Sequence, residues 1–411
     1  YHYNNKIYCF KDIFYYYIMK YFSESMIFKS YLSNLLHERR NDWNETSNIN
    51  ESVLCISEGP KAEKYLTKSK CNSLVSFSTN YENGILSYLK NKGLLAIKDK
   101  SKSNKIFKKE KFIILSSNFF YMKRGDIKTF IKKHSTIKKF VVKPSFFSSS
   151  NEGVLITSDA EEAMKHVKEN GIKFPDWIIQ EYIQSKTEIP HYLKVDLFLV
   201  KNKITKELDL YFSDNIMYYG HRNIDNIEKV MNFTATKNLL KENKNIEIKG
   251  ESYISAEKKF NELFGKKYYD KVLTPQLQYV CEKILKVIKY KDINCYSNNL
   301  ICCQYMSMDM ILDHKDILRL IEINVVPTHH FPKNFEIPKG ELGNKLKKIY
   351  PNIQNNNYVC DLLNDMLTLT IDTIIQPNKR FNLKFLHKVI KNGGKKTNKI
   401  KTKLKLTRKN I

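Results

Sequence analysis

Residues 319–326 read RLIEINVV, and the way this stretch is laid on a strand decides the fold. Its Leu, Ile and Val residues favour a strand, yet Glu322 and Asn324 stand two positions apart within it. In an extended chain, residues i and i+2 point to the same face. Strict alternation therefore puts the acid and the amide beside Leu318 and Leu320, which is expensive if that face is dry core. Either the face meets water, or something bound there is held by two oxygen-bearing side chains.

Working outward, YMSMDMIL (305–312), DHKD (313–316) and ILRLIEINV (317–325) read as a hairpin with a four-residue loop. With 312 opposite 317, Asp309 is expected opposite Leu320, diagonal to Glu322 at about 7–8 Å and on the face of Glu322 and Asn324. Inward-reaching carboxylates so placed bridge hard cations. Mg²⁺ is the candidate, because it takes one or two carboxylates and completes its shell with phosphate oxygens and water. A solvated sheet edge with a stray acid pair is the alternative that the hairpin alone leaves open.

Upstream, FVVKPS (140–145) is a short buried strand broken by Pro144. It places Lys143 just before a Ser-rich loop containing Gly153, where an ammonium and backbone N–H groups can hold phosphates. Ser158 followed by Glu161 reads as a capping box, opening a helix with Ala160, Met164 and Val167 on one face and Gly171 as its stop. DWIIQEYI (176–183) is a further strand, with Gln180 and Glu181 at the end of its apolar run. A backbone edge and an amide there can read an adenine. YLKVDLFLV (192–200) and LDLYFS (208–213) are two joined strands, and Lys194 and Asp196 share the face opposite Val195 and Leu197. Taken singly, each has an ordinary alternative: a surface lysine, a polar strand end, a salt-bridged strand face.

The 411 residues have room for two or three domains, and 42% apolar with 12% aromatic residues excludes a disordered chain. Seventy Lys and Arg against 43 Asp and Glu leave a net charge of +27, a field that favours an acidic partner. The eight cysteines show neither CxxC pairs nor metal-ligand spacing, which argues against zinc and for free buried thiols in a reducing compartment. IFYYYIMKYF (13–22) is apolar but is interrupted by Lys20 and falls short of the roughly 20 residues a membrane span needs.

Along the chain, residues 1–88 form an N-terminal domain, with an amphipathic helix near Glu82–Lys92 straddling its end. The lysine-rich stretch from Lys98 to Lys111 reads as a solvated loop, and 222–270 as a polar insert. Helical patterns cover Pro275–Val287 and Tyr358–Ile375. Residues 378–411 carry thirteen Lys and Arg and no acid, a basic tail expected to be mobile.

The succession FVVKPS, SNEGVLI, WIIQEYI, LKVDLFLV, MDMIL, LIEIN resembles the ATP-grasp ligases, and specifically the tubulin-tyrosine ligase family, over roughly residues 85–376. The resemblance implies an α/β (α+β) ATP-grasp fold preceded by a pre-ATP-grasp domain, with a central subdomain over 89–182 and a C-terminal one over 183–377. It implies ATP and Mg²⁺ as cofactors. Lys143 would contact ATP phosphate, with Lys92 as a second phosphate-binding lysine. Adenine would lie against Gln180, Glu181 and Ile183, the last two through backbone atoms. Lys194 and Asp196 would contact nucleotide and substrate as the catalytic pair, and Asp309, Glu322 and Asn324 would hold the metal. Thr234, in NFTA, is similar to the threonine of the family's HLTN.

The family's arginines depart. Phe198 stands where KFDIR has its arginine, and LYFSDNIMYYG lacks both arginines of the segment that follows; His221 and Arg222 lie near in sequence. HLTN becomes NFTA, with Ala235 in place of an amide, and the phosphate loop keeps few glycines. The implied activity is ATP-dependent ligation of an amino acid, tyrosine by the resemblance, to the acidic C-terminal tail of α-tubulin or the tubulin dimer. The setting implied is cytoplasmic and cytoskeleton-associated, with no membrane partner. Alternatives are a polyglutamylase relative, an inositol-phosphate kinase, and a pseudo-ligase that binds nucleotide and tubulin without turnover. A nucleic-acid binder accounts for the charge but not for the order of the motifs.

Overall fold

The computed structural model describes residues 96–97, 99–145, 153–187, 192–213, 256–290, 300–324, 340–349, 362, 364–373, 383 and 386–389, and the backbone strands named next. In chain order the strands are β1 (Met19–Ser23), β2 (Trp43–Glu45), β3 (Leu54–Ser57), β4 (Ser73–Ser76), β5 (Ser116–Phe120), β6 (Phe140–Pro144), β7 (Leu155–Thr157), β8 (Asp176–Glu181), β9 (Tyr192–Asn202), β10 (Glu207–Ser213), β11 (Met217–Asn223), β12 (Ile248–Ser252), β13 (Ile301–Leu312), β14 (Leu318–Asn324) and β15 (Leu386–Lys388). The helices are α1 (Lys100–Ile106), α2 (Asp126–Lys133), α3 (Ala160–Asn170), α4 (Ala256–Phe264), α5 (Thr274–Val287) and α6 (Glu341–Ile349). The chain is α+β.

Among the described residues the strands make two sheets. The smaller is antiparallel, in the order β5-β8-β6-β7. Alternation sorts its side chains: Phe119, Phe140, Val142, Trp177 and Ile179 pack against Ile127 and Phe130 of α2 and Ala163 and Val167 of α3. Val141, Lys143, Ile178 and Gln180 are left on the other face. The helix α3 is capped by Asp159, whose carboxylate accepts from the Glu161 amide at 2.8 Å. The cap thus falls one residue after the Ser158 that the capping-box pattern selects. Gly153 has φ +71, and a Cβ there would lie 3.0 Å from the Pro144 ring, so any other residue at this crossing is strained in conformation and in space.

The larger sheet is centred on β9 and β13, which pair along nearly their whole lengths. Beside β9, β10 covers the C-terminal half and β11 the N-terminal half. Beside β13, β14 covers the C-terminal half and β4 the N-terminal half, and β4 continues in parallel to β3, β1 and β2. The first strands therefore extend this sheet. On its back, Leu193, Val195, Leu197 and Leu199 of β9 and Met306, Met308 and Met310 of β13 form one core with Phe260 of α4 and Leu277, Val280, Cys281 and Ile284 of α5. Each such buried aliphatic contributes about 1.5–3 kcal/mol.

Several expectations change. The stretch 98–111 is not a solvated loop: Asp99 caps α1, accepting from Ser101 and Lys102 amides at 2.9 and 3.2 Å, and Phe107 at its end is buried in the core. Within 222–270, α4 and the start of a π-helical turn, Tyr269–Leu273, bury Ala256, Phe260 and Tyr269. The basic tail is ordered at 386–389, where β15 pairs with β10, Leu386 and Val389 are buried, and Lys388 meets Asp209 at 2.8 Å. Cys281 and Cys303 are free and buried, as expected, but Cys302 is in a disulfide. The amphipathic helix near Glu82–Lys92 lies outside the described residues. Among the described residues no helix is long and apolar enough to cross a membrane.

Candidate functional site

The β13–β14 hairpin answers the question posed by RLIEINVV through its register. Leu312 pairs with Leu318, Ile311 with Arg319 and Met310 with Leu320; then Ile321 is skipped as a bulge, and Asp309 pairs with Glu322, Met308 with Ile323 and Ser307 with Asn324. The bulge reverses the phase of the strand. Leu318, Leu320 and Ile323 all enter the core with the β13 methionines, while Glu322 and Asn324 leave it for the opposite face. Strict alternation had placed Leu318 and Leu320 beside the acid and had set Asp309 opposite Leu320 and diagonal to Glu322. Both placements are corrected: the two carboxylates are directly opposed, the closer of the two arrangements.

The same face continues across β9. Asp309 is flanked by Lys194, and Ser307 by Asp196, so two rows cross the sheet: Lys194–Asp309–Glu322 and Asp196–Ser307–Asn324. Val195 and Leu197 point the other way into the core, as the alternation of YLKVDLFLV requires. Asn324 donates its amide to Asp309 Oδ2 at 3.2 Å and to Glu322 Oε1 at 3.3 Å. Tyr305 donates its hydroxyl to Asp196 Oδ1 at 2.7 Å. The Ser307 Oγ is buried and has no hydrogen-bond partner among the described residues.

The smaller sheet contributes Lys143. It is 7% exposed and lies on the face away from α2 and α3, within electrostatic reach of Glu322, Asp309 and Lys100. Gln180, also buried, is on that face one rung along, between Ser116 and Val141. Glu181 ends β8 half-buried; its amide N–H is already committed to the Leu115 carbonyl at 2.9 Å, and Ile183 follows half-buried beyond the strand. Lys92 and Thr234 lie outside the described residues, and β11 fixes only the backbone of His221 and Arg222.

Sequence reasoning missed Lys100. From the first turn of α1 its Nζ reaches Glu322 Oε2 at 3.0 Å. The signal was present in Asp99, an N-cap residue directly before it, but the lysine-rich composition obscured the helix.

These charges perturb one another. Burial lowers Lys143 to about 8, aided by Lys100 and opposed by Glu322 and Asp309. Burial pushes Asp196 up to about 7 against the pull of Lys194. Burial also drives the Asp309 carboxyl well above the ordinary carboxylate range, with Lys194 pulling it back and Glu322 pushing it further. For Glu322 burial acts in the same sense, but Lys100 and Lys143 outweigh it and hold the carboxylate below its usual value. The result is one firmly ionised carboxylate beside one reluctant to ionise, ringed by three ammonium groups.

Among the described residues no group of three or more His, Cys, Asp or Glu surrounds a point, so a zinc-type cage is not built there. Two opposed carboxylates are a hard-oxygen pair of the size Mg²⁺ uses when phosphate and water supply the rest of its shell; Asn324 turns its amide nitrogen to both and would add its oxygen by rotating the amide over. The Ser307 hydroxyl in the adjacent row, without a partner among the described residues, leaves one more buried polar atom for water or ligand. Phe198 is fully buried and flanked in the sheet by Tyr305 and Tyr211. Comparison of the chain with protein-family models and with curated proteins finds no match.

Proposed function

We propose that this chain is an ATP-dependent carboxylate–amine ligase with an ATP-grasp fold, acting on the acidic C-terminal tail of α-tubulin or the tubulin dimer and joining to it a free amino acid, tyrosine by the resemblance. One observation carries the reading. The paired Asp309 and Glu322 carboxylates of one sheet confront Lys143 of the other, with Lys194 and Lys100 beside them. Acids for a divalent cation and ammonium groups for a polyphosphate are thereby gathered at one place.

In this reading Asp309, Glu322 and Asn324 would hold Mg²⁺, which when bound supplies charge neutralisation to the phosphates. Lys143 and Lys194 orient the triphosphate. Gln180, Glu181 and Ile183 border the adenine. The tail carboxylate takes the γ-phosphoryl group, and the amine of the incoming amino acid attacks the acyl phosphate carbon and expels phosphate. No side-chain nucleophile is needed; positioning and charge stabilisation supply the rate. The +27 charge favours encounter with an acidic tail in the cytoplasm or on the cytoskeleton.

Product analysis tests this. With Mg-ATP, an acidic tubulin-tail peptide and tyrosine, ADP and phosphate should appear in equal amounts and only when both acceptor and amine are present. Release of AMP and pyrophosphate, or failure to bind any adenine nucleotide, would overturn it. The buried Phe198 favours a second reading, a nucleotide-binding pseudo-ligase, since no arginine stands at that position to stabilise a transferring phosphoryl group. Nucleotide binding without amine-dependent ADP release would select it.

A further inference from the structure

Lys100 is held in place from three directions. Asp99 caps the helix beneath it, the Asn118 amide of β5 reaches the Ser101 carbonyl at 3.4 Å, and Phe107 anchors the helix end in the core. The segment after α1 is then tied along the open edge of β14: the Leu320 amide donates to the Phe112 carbonyl at 2.8 Å, and Arg319 donates to the Lys111 carbonyl at 2.6 Å. So fixed, Lys100 lies with only 12% of its side chain exposed and its ammonium 3.0 Å from Glu322 Oε2. That oxygen belongs to the carboxylate assigned above to the cation. Glu322 Oε1 is meanwhile approached by Asn324.

We infer that Lys100 is the resident counter-ion of this site: its ammonium occupies Glu322 Oε2 when the site is empty, and a divalent cation must displace it to bind. The ammonium released is then a third positive group beside Lys143 and Lys194. Burying opposed carboxylates without a cation is costly, which is why a tethered lysine is useful there. Lys100 also makes metal entry competitive, and so raises the metal concentration the site needs. The inference rests on the ligase reading for the identity of the cation and on the observed contact for the competition.

The test is a Mn²⁺ titration of the full chain, followed by loss of the free-ion paramagnetic resonance signal, which requires no turnover. Binding should vanish in Glu322→Gln. Lys100→Gln removes the competing charge while keeping a hydrogen-bond donor, and losing one charge-assisted contact should lower the half-saturating Mn²⁺ concentration by about tenfold. Lys100→Arg, which keeps the charge, should titrate like the wild type, as should Lys105→Gln on the exposed side of the same helix. Wild-type protein that binds no Mn²⁺ would overturn the metal assignment on which the ligase reading depends. Wild-type binding with an unchanged or higher midpoint in Lys100→Gln would overturn this inference alone. An equal fall in Lys105→Gln or Lys100→Arg would assign the effect to the general field and overturn it as well.

Discussion

Asp196→Asn should stabilise the ligand-free protein while removing its activity. Asp196 is 1% exposed and accepts the Tyr305 hydroxyl at 2.7 Å. Burial raises its pKa from 3.8 to about 7. Because the folded-state value is the higher one, the folded protein holds the extra proton between these two points. The associated stability is complete below about pH 4, declines as pH rises and is lost once pH passes about 7, leaving the fold to carry a buried carboxylate. At about 1.4 kcal/mol per unit the full shift, in which the pull of Lys194 is already included, corresponds to roughly 4 kcal/mol, and relaxation around the buried carboxylate reduces this to about 2–4 kcal/mol. Asn keeps the shape and the acceptor for Tyr305 but never ionises. Urea unfolding followed by circular dichroism should therefore show the variant more stable by that amount near pH 8 and equal to the wild type near pH 4. A gain independent of pH, or no gain near pH 8, would refute the reasoning.

Glu322→Gln should abolish turnover and also lower ligand-free stability by about 1–3 kcal/mol, since Lys100 and Lys143 lose the carboxylate that compensates them; a thermal melt equal to the wild type would contradict the ion pair. Gly153→Ala should cost about 1–3 kcal/mol in the same assay, because a methyl group meets the Pro144 ring at 3.0 Å on a left-handed backbone; an unchanged melting midpoint would contradict that crossing. Truncation after residue 385 removes buried Leu386 and Val389 and should cost about 3–5 kcal/mol relative to truncation after residue 389; equal midpoints would mean that β15 does not contribute to the fold.

Much of the site was legible because period-two alternation is enforced wherever one face of a strand is core. It set Lys194 and Asp196 against Val195 and Leu197, and it put Asp309 on the face of Glu322 and Asn324. The register was not legible. A bulge inserts a residue without changing composition, and its trace here is that the core residues Leu320 and Ile323 are three apart rather than two. The same assumption of unbroken alternation made Leu318 and Leu320 neighbours of the acid when they are not. Helix α1 was hidden for a different reason: lysines dominate its sequence, and the apolar contact that fixes it, Phe107, comes only at its end. Strand β15 lies in a 34-residue segment with thirteen basic residues and no acid, where charge argued for a mobile tail although Leu386 and Val389 dock in the core. Patterning reports what a local segment can bury, and none of these features is decided locally.

The most direct test of the central claim is transfer itself. Purified protein is incubated with Mg-ATP, detyrosinated tubulin and one radiolabelled amino acid at a time, beside the Glu322→Gln variant. The ligase reading predicts ATP-dependent label on tubulin, with tyrosine the preferred amine, one ADP formed per residue added, and no label with the variant. Tubulin that stays unlabelled with every amino acid while the protein binds ATP would contradict it.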